Sequence, residues 1–290
     1  MNMRFLKRVL ADRLKPEEIA ELYGAFDLVG DIAIIRTPMS LRSKLETIAR
    51  AIIESNKHVR TVLHQSSPVS GELRTRRFEH ILGDMKTETT YKEHGCVFKV
   101  DLAKAYFTPR LSHERLRIAR LISPGEAVVN MFAGVGTFSI VAARHSQATK
   151  IYSIDLNPDA FRYMEENVRI NKVTGRVIPI LGDASEVIAN RNKEVADRVL
   201  MPLPEKAKEF IESALLALKR EGWIHYYDHV HAETGEDPCL KSFEMLHPRL
   251  EETRANYELN FSRVVREVGP RWFQVVLDLK VMKTSTRGSD

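Results

Sequence analysis

Cysteine is nearly absent. Cys96 and Cys239 are the only two in 290 residues, lie far apart and have no CxxC neighbour, so neither a disulfide framework nor a cysteine zinc site is expected. Long apolar runs are missing as well: no stretch reaches the roughly 18 to 20 residues that span a bilayer. The opening MNMRFLKRVLADRLKPEE meets charges too soon for a signal peptide. The expectation is a folded cytoplasmic protein with no membrane contact and no stable protein partner, a monomer. Internal repeats and low-complexity tracts are also lacking, and only the tail Thr284 to Asp290 reads as disordered. Ten histidines invite a metal, but His225, His229 and His231 lack the carboxylate or cysteine spacing of a zinc site, so no metal is expected.

What is present is enough apolar material, 43% of the chain, to bury a core. Net charge is +5 with a pI near 9.1, which fits a polyanionic partner. Basic residues gather in Arg74, Arg76 and Arg77, then in Lys104, Arg110, Arg115, Arg117 and Arg120. A solvated helix face is the plain alternative for each run.

The first hundred residues read as a small α+β unit. An opening amphipathic helix and the strand-like FDLVGDIAIIRTP lead to a helix over about Ser40 to Asn56, then to strand HVRTVLHQ and a polar loop at Ser66 to Gly71. After the extended VFKVDLAKAYFTPRL a helix starts at Ser112, and a boundary near residue 105 divides the chain into 1–104, 105–284 and a disordered tail 285–290. From Ala127 strands and helices alternate: AVVNMF, a helix from Gly136, KIYSID, a helix from Pro158, VIPILG, a short helix, RVLMPL. That βαβ rhythm predicts an α/β fold with a parallel doubly wound sheet. FSRVVREV and WFQVVLDLKV, joined at Gly269-Pro270, must pair antiparallel. A parallel sheet ending in such a hairpin points, by analogy of fold, to a Rossmann-like class I methyltransferase domain following a smaller N-terminal α+β domain.

In VVNMFAGVGTFSI, Gly134 and Gly136 stand at a strand-to-helix turn, where backbone can approach a ligand. The third glycine of GxGxxG is missing, which counts against a dinucleotide. Asp155 ends the next strand, placed to accept hydrogen bonds from both ribose hydroxyls, and Asp183 follows the third strand, where a carboxylate can accept from an adenine amino group. Either aspartate alone is as readily a helix cap or turn former. Taken in order they favour S-adenosyl-L-methionine, with Met131, Phe132, Leu156 and Pro202 at the same strand ends completing the expected cofactor site.

On these residues the chain resembles the archaeal and eukaryotic tRNA guanine-37 N1-methyltransferase family and its sister, the wybutosine-pathway aminocarboxypropyl transferases. The likeness runs through FDLVGDIAII, GELRTRRFEHILGD, DLAKAYFTPRLSHERLR, NMFAGVGTFSI, VLMPLPEKAKEF, GWIHYYDH and VREVGPRWFQVVLDLKV. The TPRL wording leans to the methyltransferase branch. The resemblance implies Glu114 as general base, Arg74 as stabiliser of charge developing on guanine O6, and Arg110 near the methionine end of the cofactor. Guanine N1 carries a proton, so methylation there needs a base and a positive group. The plain alternatives are Glu114 paired at helical spacing with Arg117 or Arg110, and a solvated Arg74. Two departures stand out. The family's fourth motif has an asparagine where this chain has Pro202, which offers no amide donor. Many members also carry an extra N-terminal domain, for which this length leaves no room, as in the sister transferases. The reading implied is methyl transfer to N1 of guanosine 37 in the tRNA anticodon loop, extending to a wyosine precursor. Aminocarboxypropyl transfer, and a tRNA-binding protein with little turnover, are the alternatives.

Overall fold

The computed structural model describes residues 3–23, 26–68, 71–253 and 255–283. The expected disordered tail and the tip of the Ser66 to Gly71 loop lie outside the described residues. Two compact units divide between Ser112 and His113, eight residues beyond the 104/105 division read from composition.

The first unit opens with two short helices, α1 (Met3–Val9) and α2 (Pro16–Glu21), in place of one. Pro16 occupies the first turn of α2, where its missing N–H is no loss, and Glu18 accepts the Lys15 amide at 2.8 Å. FDLVGDIAIIRTP is not one strand but two, β1 (Asp27–Val29) and β2 (Ile32–Ile35), folded antiparallel about Gly30 and Asp31. Helix α3 (Leu45–Ser55) crosses to β3 (Thr61–Gln65), parallel to β2, and β4 (Phe78–Gly83) returns antiparallel, giving the sheet order β1-β2-β3-β4. Ile48 and Ile52 of α3 pack with Leu6, Leu10, Ile35 and Val62 in one core. A separate hairpin pairs β5 (Glu88–Glu93) with β6 (Cys96–Asp101).

The second unit is the doubly wound one. Helix α4 (Ser112–Leu121) leads into β7 (Ala127–Asn130), α5 (Thr137–His145), β8 (Lys150–Asp155), α6 (Pro158–Ile170), β9 (Val177–Leu181), α7 (Ala184–Arg191) and β10 (Ala196–Met201). Then come α8 (Ile211–Ala217), β11 (Leu218–His231), α9 (Pro238–Glu251), β12 (Ala255–Gly269) and β13 (Trp272–Lys283). Seven strands run in the order β12-β13-β11-β10-β7-β8-β9. From β11 to β9 every pairing is parallel, and the two strands of the closing hairpin are antiparallel. The chain winds one way from β7 to β9 and the other way from β10 to β11, so a crevice opens at the carboxyl ends of β7 and β10.

The last strand, not its predecessor, docks on β11. Val275 to Leu279 of β13 are buried without interruption, as a strand covered on both faces must be. β12 carries Glu258, Arg263, Arg266 and Glu267 and takes the edge, where charge blocks further pairing.

Candidate active site

Four parallel strands end in this crevice, and each delivers one of the motifs read from the sequence. After β7 the chain turns at Gly134 and Gly136, with φ of +56° and +89°. A Cβ at Gly136 would lie 3.0 Å from Met164 Cγ and 3.1 Å from Ile140 Cδ1, so the helix can start here only with glycine. Met131 is buried, and its amide donates to Leu200 O at 3.0 Å. Phe132 meets Phe210 edge to face with ring centroids 5.0 Å apart.

Asp155, at the end of β8, holds this turn. Its Oδ2 accepts from Gly134 N at 2.5 Å and its Oδ1 from Asn157 N at 2.9 Å. Burial pushes its carboxyl above the usual range, against the pull of those two amides. Each oxygen keeps a lone pair able to accept from a hydroxyl. Asp183, after β9, caps α7: Oδ1 takes the amides of Ser185 and Glu186 at 2.8 and 3.1 Å, which leaves Oδ2 for another donor. The helix-cap alternative is therefore observed and does not exclude ligand contact. Leu156 is 44% exposed and Leu181 is 48% exposed, one near each carboxylate in sequence, and each offers an apolar face to a planar base. At the end of β10, Leu203 N donates back to Met201 O at 2.9 Å and closes a turn over Pro202.

Glu114 lies on α4 with only 1% of its surface exposed. Arg117, one turn on, donates to it from Nε at 3.0 Å and Nη2 at 2.7 Å, so the plain pairing with Arg117 is present. Tyr227 of β11 donates from its hydroxyl to Oε1 at 2.8 Å, and Arg263 of β12 from Nη2 to Oε2 at 2.5 Å. Burial raises the proton affinity of this carboxyl; the Arg117 bonds and charge, the Tyr227 hydroxyl and the Arg263 charge outweigh it and leave it below the usual range.

The cluster extends inward as a chain the sequence had not disclosed. Arg117 Nη1 donates to Asp278 Oδ2 at 2.6 Å, Asp278 Oδ1 faces His225 Nδ1 at 2.5 Å, and Arg198 Nη1 donates to His225 Nε2 at 2.6 Å. Arg198 in turn grips Glu126 at 2.9 and 3.2 Å. An arginine can only donate, so His225 Nε2 accepts and the ring proton sits on Nδ1, facing Asp278. Burial keeps that imidazole neutral, its proton affinity lowered despite Asp278. Both ring nitrogens are thereby occupied, and neither is left for a metal. Three arginines meet three carboxylates around one neutral histidine, so the buried network carries no net charge. The available signal was a polar residue inside each of two apolar strand runs, His225 in WIHYY and Asp278 in VVLDLK.

The remaining expected residues lie in the first unit. Arg110 is engaged within its own unit, where its Nε donates to Asp27 Oδ1 at 2.7 Å. Arg74 has φ +53° and sits over the Tyr106 ring at 5.2 Å, with Arg76 over the same ring at 5.0 Å, so the solvated alternative does not describe it. Of the basic run before the glycine turn, Arg115 is buried and Arg117 belongs to the network, whereas Lys104 and Arg120 are exposed.

A family described as the TRM5/TYW2 methyltransferase domain matches residues 89–253, and a TYW2 N-terminal domain matches residues 6–87. The chain belongs to the TRM5/TYW2 methyltransferase family. This TRM5/TYW2 chain is 40% identical over 267 residues to the tRNA (guanine(37)-N(1))-methyltransferase Trm5b of Pyrococcus abyssi, covering 92% of this chain and 78% of that one. The crystal structure of that Trm5b superposes with a TM-score of 0.82 at 39% identity, over 93% and 78% of the two chains. It is 37% identical over 274 residues to the tRNA 4-demethylwyosine(37)-methyltransferase Taw21 of Saccharolobus solfataricus, covering 94% and 99%. The structure of M. jannaschii TYW2 in complex with AdoMet aligns with a TM-score of 0.67 at 29% identity, over 90% and 100%.

Proposed function

We propose that this TRM5/TYW2 family member transfers a methyl group from S-adenosyl-L-methionine to N1 of guanosine 37 in tRNA. The observation that carries the reading is the crevice itself: glycine turn, Asp155, Asp183 and the Pro202 turn at the ends of four adjacent parallel strands, with Glu114 buried in the same unit. Asp155 would accept from the ribose hydroxyls, Oδ2 of Asp183 from the adenine amino group, and Leu156 would lie against the base, beside the backbone of Met131, Phe132 and Pro202. The cofactor, when bound, supplies an electrophilic methyl. Glu114 would take the N1 proton, and Arg74 and Arg110 are the residues that the resemblance implies for the charge developing on O6 and for the methionine end of the cofactor. The first unit, with exposed Arg77 and Lys104, is our candidate for contacts to the RNA backbone.

A second reading is favoured by Pro202, which removes the amide that the resemblance leads one to expect at that position. Transfer to 4-demethylwyosine 37 uses the same cofactor and the same position of the RNA. Incubation with adenosylmethionine and either G37 tRNA or precursor-bearing tRNA, followed by nucleoside mass spectrometry, decides between them. One methyl added to guanosine, and none when G37 is replaced by A, is the expected result. Methylation confined to the precursor would establish the second reading, and addition of an aminocarboxypropyl group would refute both.

Asp155→Ala is expected to weaken adenosylmethionine binding by about 1 to 3 kcal/mol, the scale of hydrogen bonds lost with a ligand's polar groups left unpaired. Calorimetric titration measures it, and unchanged affinity would remove Asp155 from the site.

A further inference from the structure

Arg117 and Arg263 both hold Glu114, but they are held differently. Arg117 is anchored on two sides, to Glu114 and to Asp278. Arg263 stands on the edge strand β12, its side chain is 38% exposed against 18% for Arg117, and its Nη2 donates to Glu114 Oε2. Its Nε is buried and has no hydrogen-bond partner among the described residues. An orphaned guanidinium donor is costly to keep, and it marks the side chain as having a better-satisfied position elsewhere. A guanidinium matches a phosphate in two-pronged fashion, using Nε together with an Nη. Phe261, two residues earlier on the same strand, is 42% exposed and carries the Arg117 guanidinium 4.9 Å from its ring centroid, which leaves part of the ring open to a nucleic-acid base. As it stands, Oε2 of Glu114 accepts from Arg263 Nη2 at 2.5 Å and from Arg117 Nε at 3.0 Å, so both of its lone pairs are engaged and none is left for the proton it would take from guanine N1.

We propose that Arg263 is a movable cover on Glu114, which leaves Oε2 for a phosphodiester of the bound RNA next to the target nucleotide and so exposes that oxygen to the N1 proton. The inference rests on the reading of Glu114 as base. Arg263 is then a positioning residue: RNA binding itself removes one cation from the base and raises its proton affinity at the moment it is needed. Glu114 is faced by Arg117 from α4, Tyr227 from β11 and Arg263 from β12, with Asp278 of β13, His225 of β11 and Arg198 of β10 behind Arg117. Arg263 is the one of these at the surface edge. The proton balance is simple: N1–H breaks as O–H forms on Glu114, and N1–CH3 forms as the methyl–sulfur bond breaks, leaving the neutral thioether.

The test compares wild type, Arg263→Gln, Arg263→Lys and Glu114→Gln on G37 tRNA, or on precursor-bearing tRNA if that is the substrate. Affinity is measured against salt, and single-turnover rate against pH. Arg263→Gln should lower the slope of log affinity against log salt by about 0.7 to 0.9, the value for one phosphate contact. The acidic limb of the rate profile should move upward when RNA is well below saturation, where the free enzyme's Glu114 titrates, and stay at the wild-type position at saturation, and Arg263→Lys should restore the slope. A measurement on unaltered protein serves if Arg263→Gln does not fold: an anticodon stem-loop with a neutral methylphosphonate on either side of nucleotide 37 should slow wild-type transfer at one of the two positions. A wild-type salt slope in Arg263→Gln, or indifference to both methylphosphonates, would overturn the proposal whatever happens to the rate. If Glu114→Gln remains active, it is the base assignment that falls.

Discussion

Glu114→Gln is expected to slow single-turnover methyl transfer about 10²- to 10⁴-fold, the range contributed by a positioned general base, while adenosylmethionine affinity stays within about twofold of wild type. Gln keeps the shape of Glu114 and can still accept from Tyr227, so the change removes charge and proton affinity and little else. Stability should fall at the same time, because Arg263 loses its anion and Arg117 keeps only Asp278. The comparison is therefore made at saturating tRNA and cofactor, at a temperature where the variant is folded. Loss of cofactor binding in place of loss of rate would show that Glu114 supports the crevice and is not the base.

Asp278→Asn tests the other end of the network. With Asp278 neutral, three arginines face two carboxylates, and the loss is expected to be about 3 to 5 kcal/mol, as for removal of one partner from a buried pair, since Asp278, Glu114, His225 and Arg198 are all buried. Both tryptophans, Trp223 and Trp272, lie in the second unit. Tryptophan fluorescence during urea unfolding therefore reports the unit that holds the network. A change below about 1 kcal/mol would mean that the cluster is dispensable for stability.

The same residues set the acid response. Burial would raise the Asp278 carboxyl, but His225 and Arg117 more than offset it and hold it at about 2 against an ordinary 3.8. Glu114 is likewise held below 4.5, and burial holds His225 below 6.5. In all three the folded chain binds fewer protons than the unfolded one, so stability rises with pH. It should start to fall as pH drops below 6.5, through His225, and fall further from about 4.5 down toward 2, through Glu114 and Asp278. Asp278 alone contributes about 2 kcal/mol of that lower step. Asp278→Asn should flatten it, and an unaltered acid limb in that variant would rule out the assignment.

Local pattern carried a great deal. The strand and helix alternation after Ala127, the Gly134 and Gly136 turn, and the placement of Asp155 and Asp183 after successive strands follow from period, turn chemistry and order along the chain. Tertiary structure brings them to one crevice. Where the reading slipped, a local competitor was at work. Pro16 divided the opening helix, and Gly30 with Asp31 turned one apparent strand into a hairpin. β11 continues on both sides of WIHYYDH because pairing with β10 and β13 holds residues of modest strand preference in line.

By itself, then, the sequence determined the fold class, the strand-end positions of the glycine turn and its two aspartates, and the antiparallel closing hairpin, since each depends on residues near one another in the chain. Only the tertiary structure decided that β13 inserts between β11 and β12, and that Glu114, Arg117, Glu126, Arg198, His225, Arg263 and Asp278 form one neutral network. The physical reason is separation along the chain. Arg263 lies 149 residues from Glu114 and Asp278 lies 161 from Arg117, and such charges share a buried site only because the sheet order makes neighbours of the strands that carry them. Nothing in the local spacing of a lone arginine or aspartate says which opposite charge it will meet.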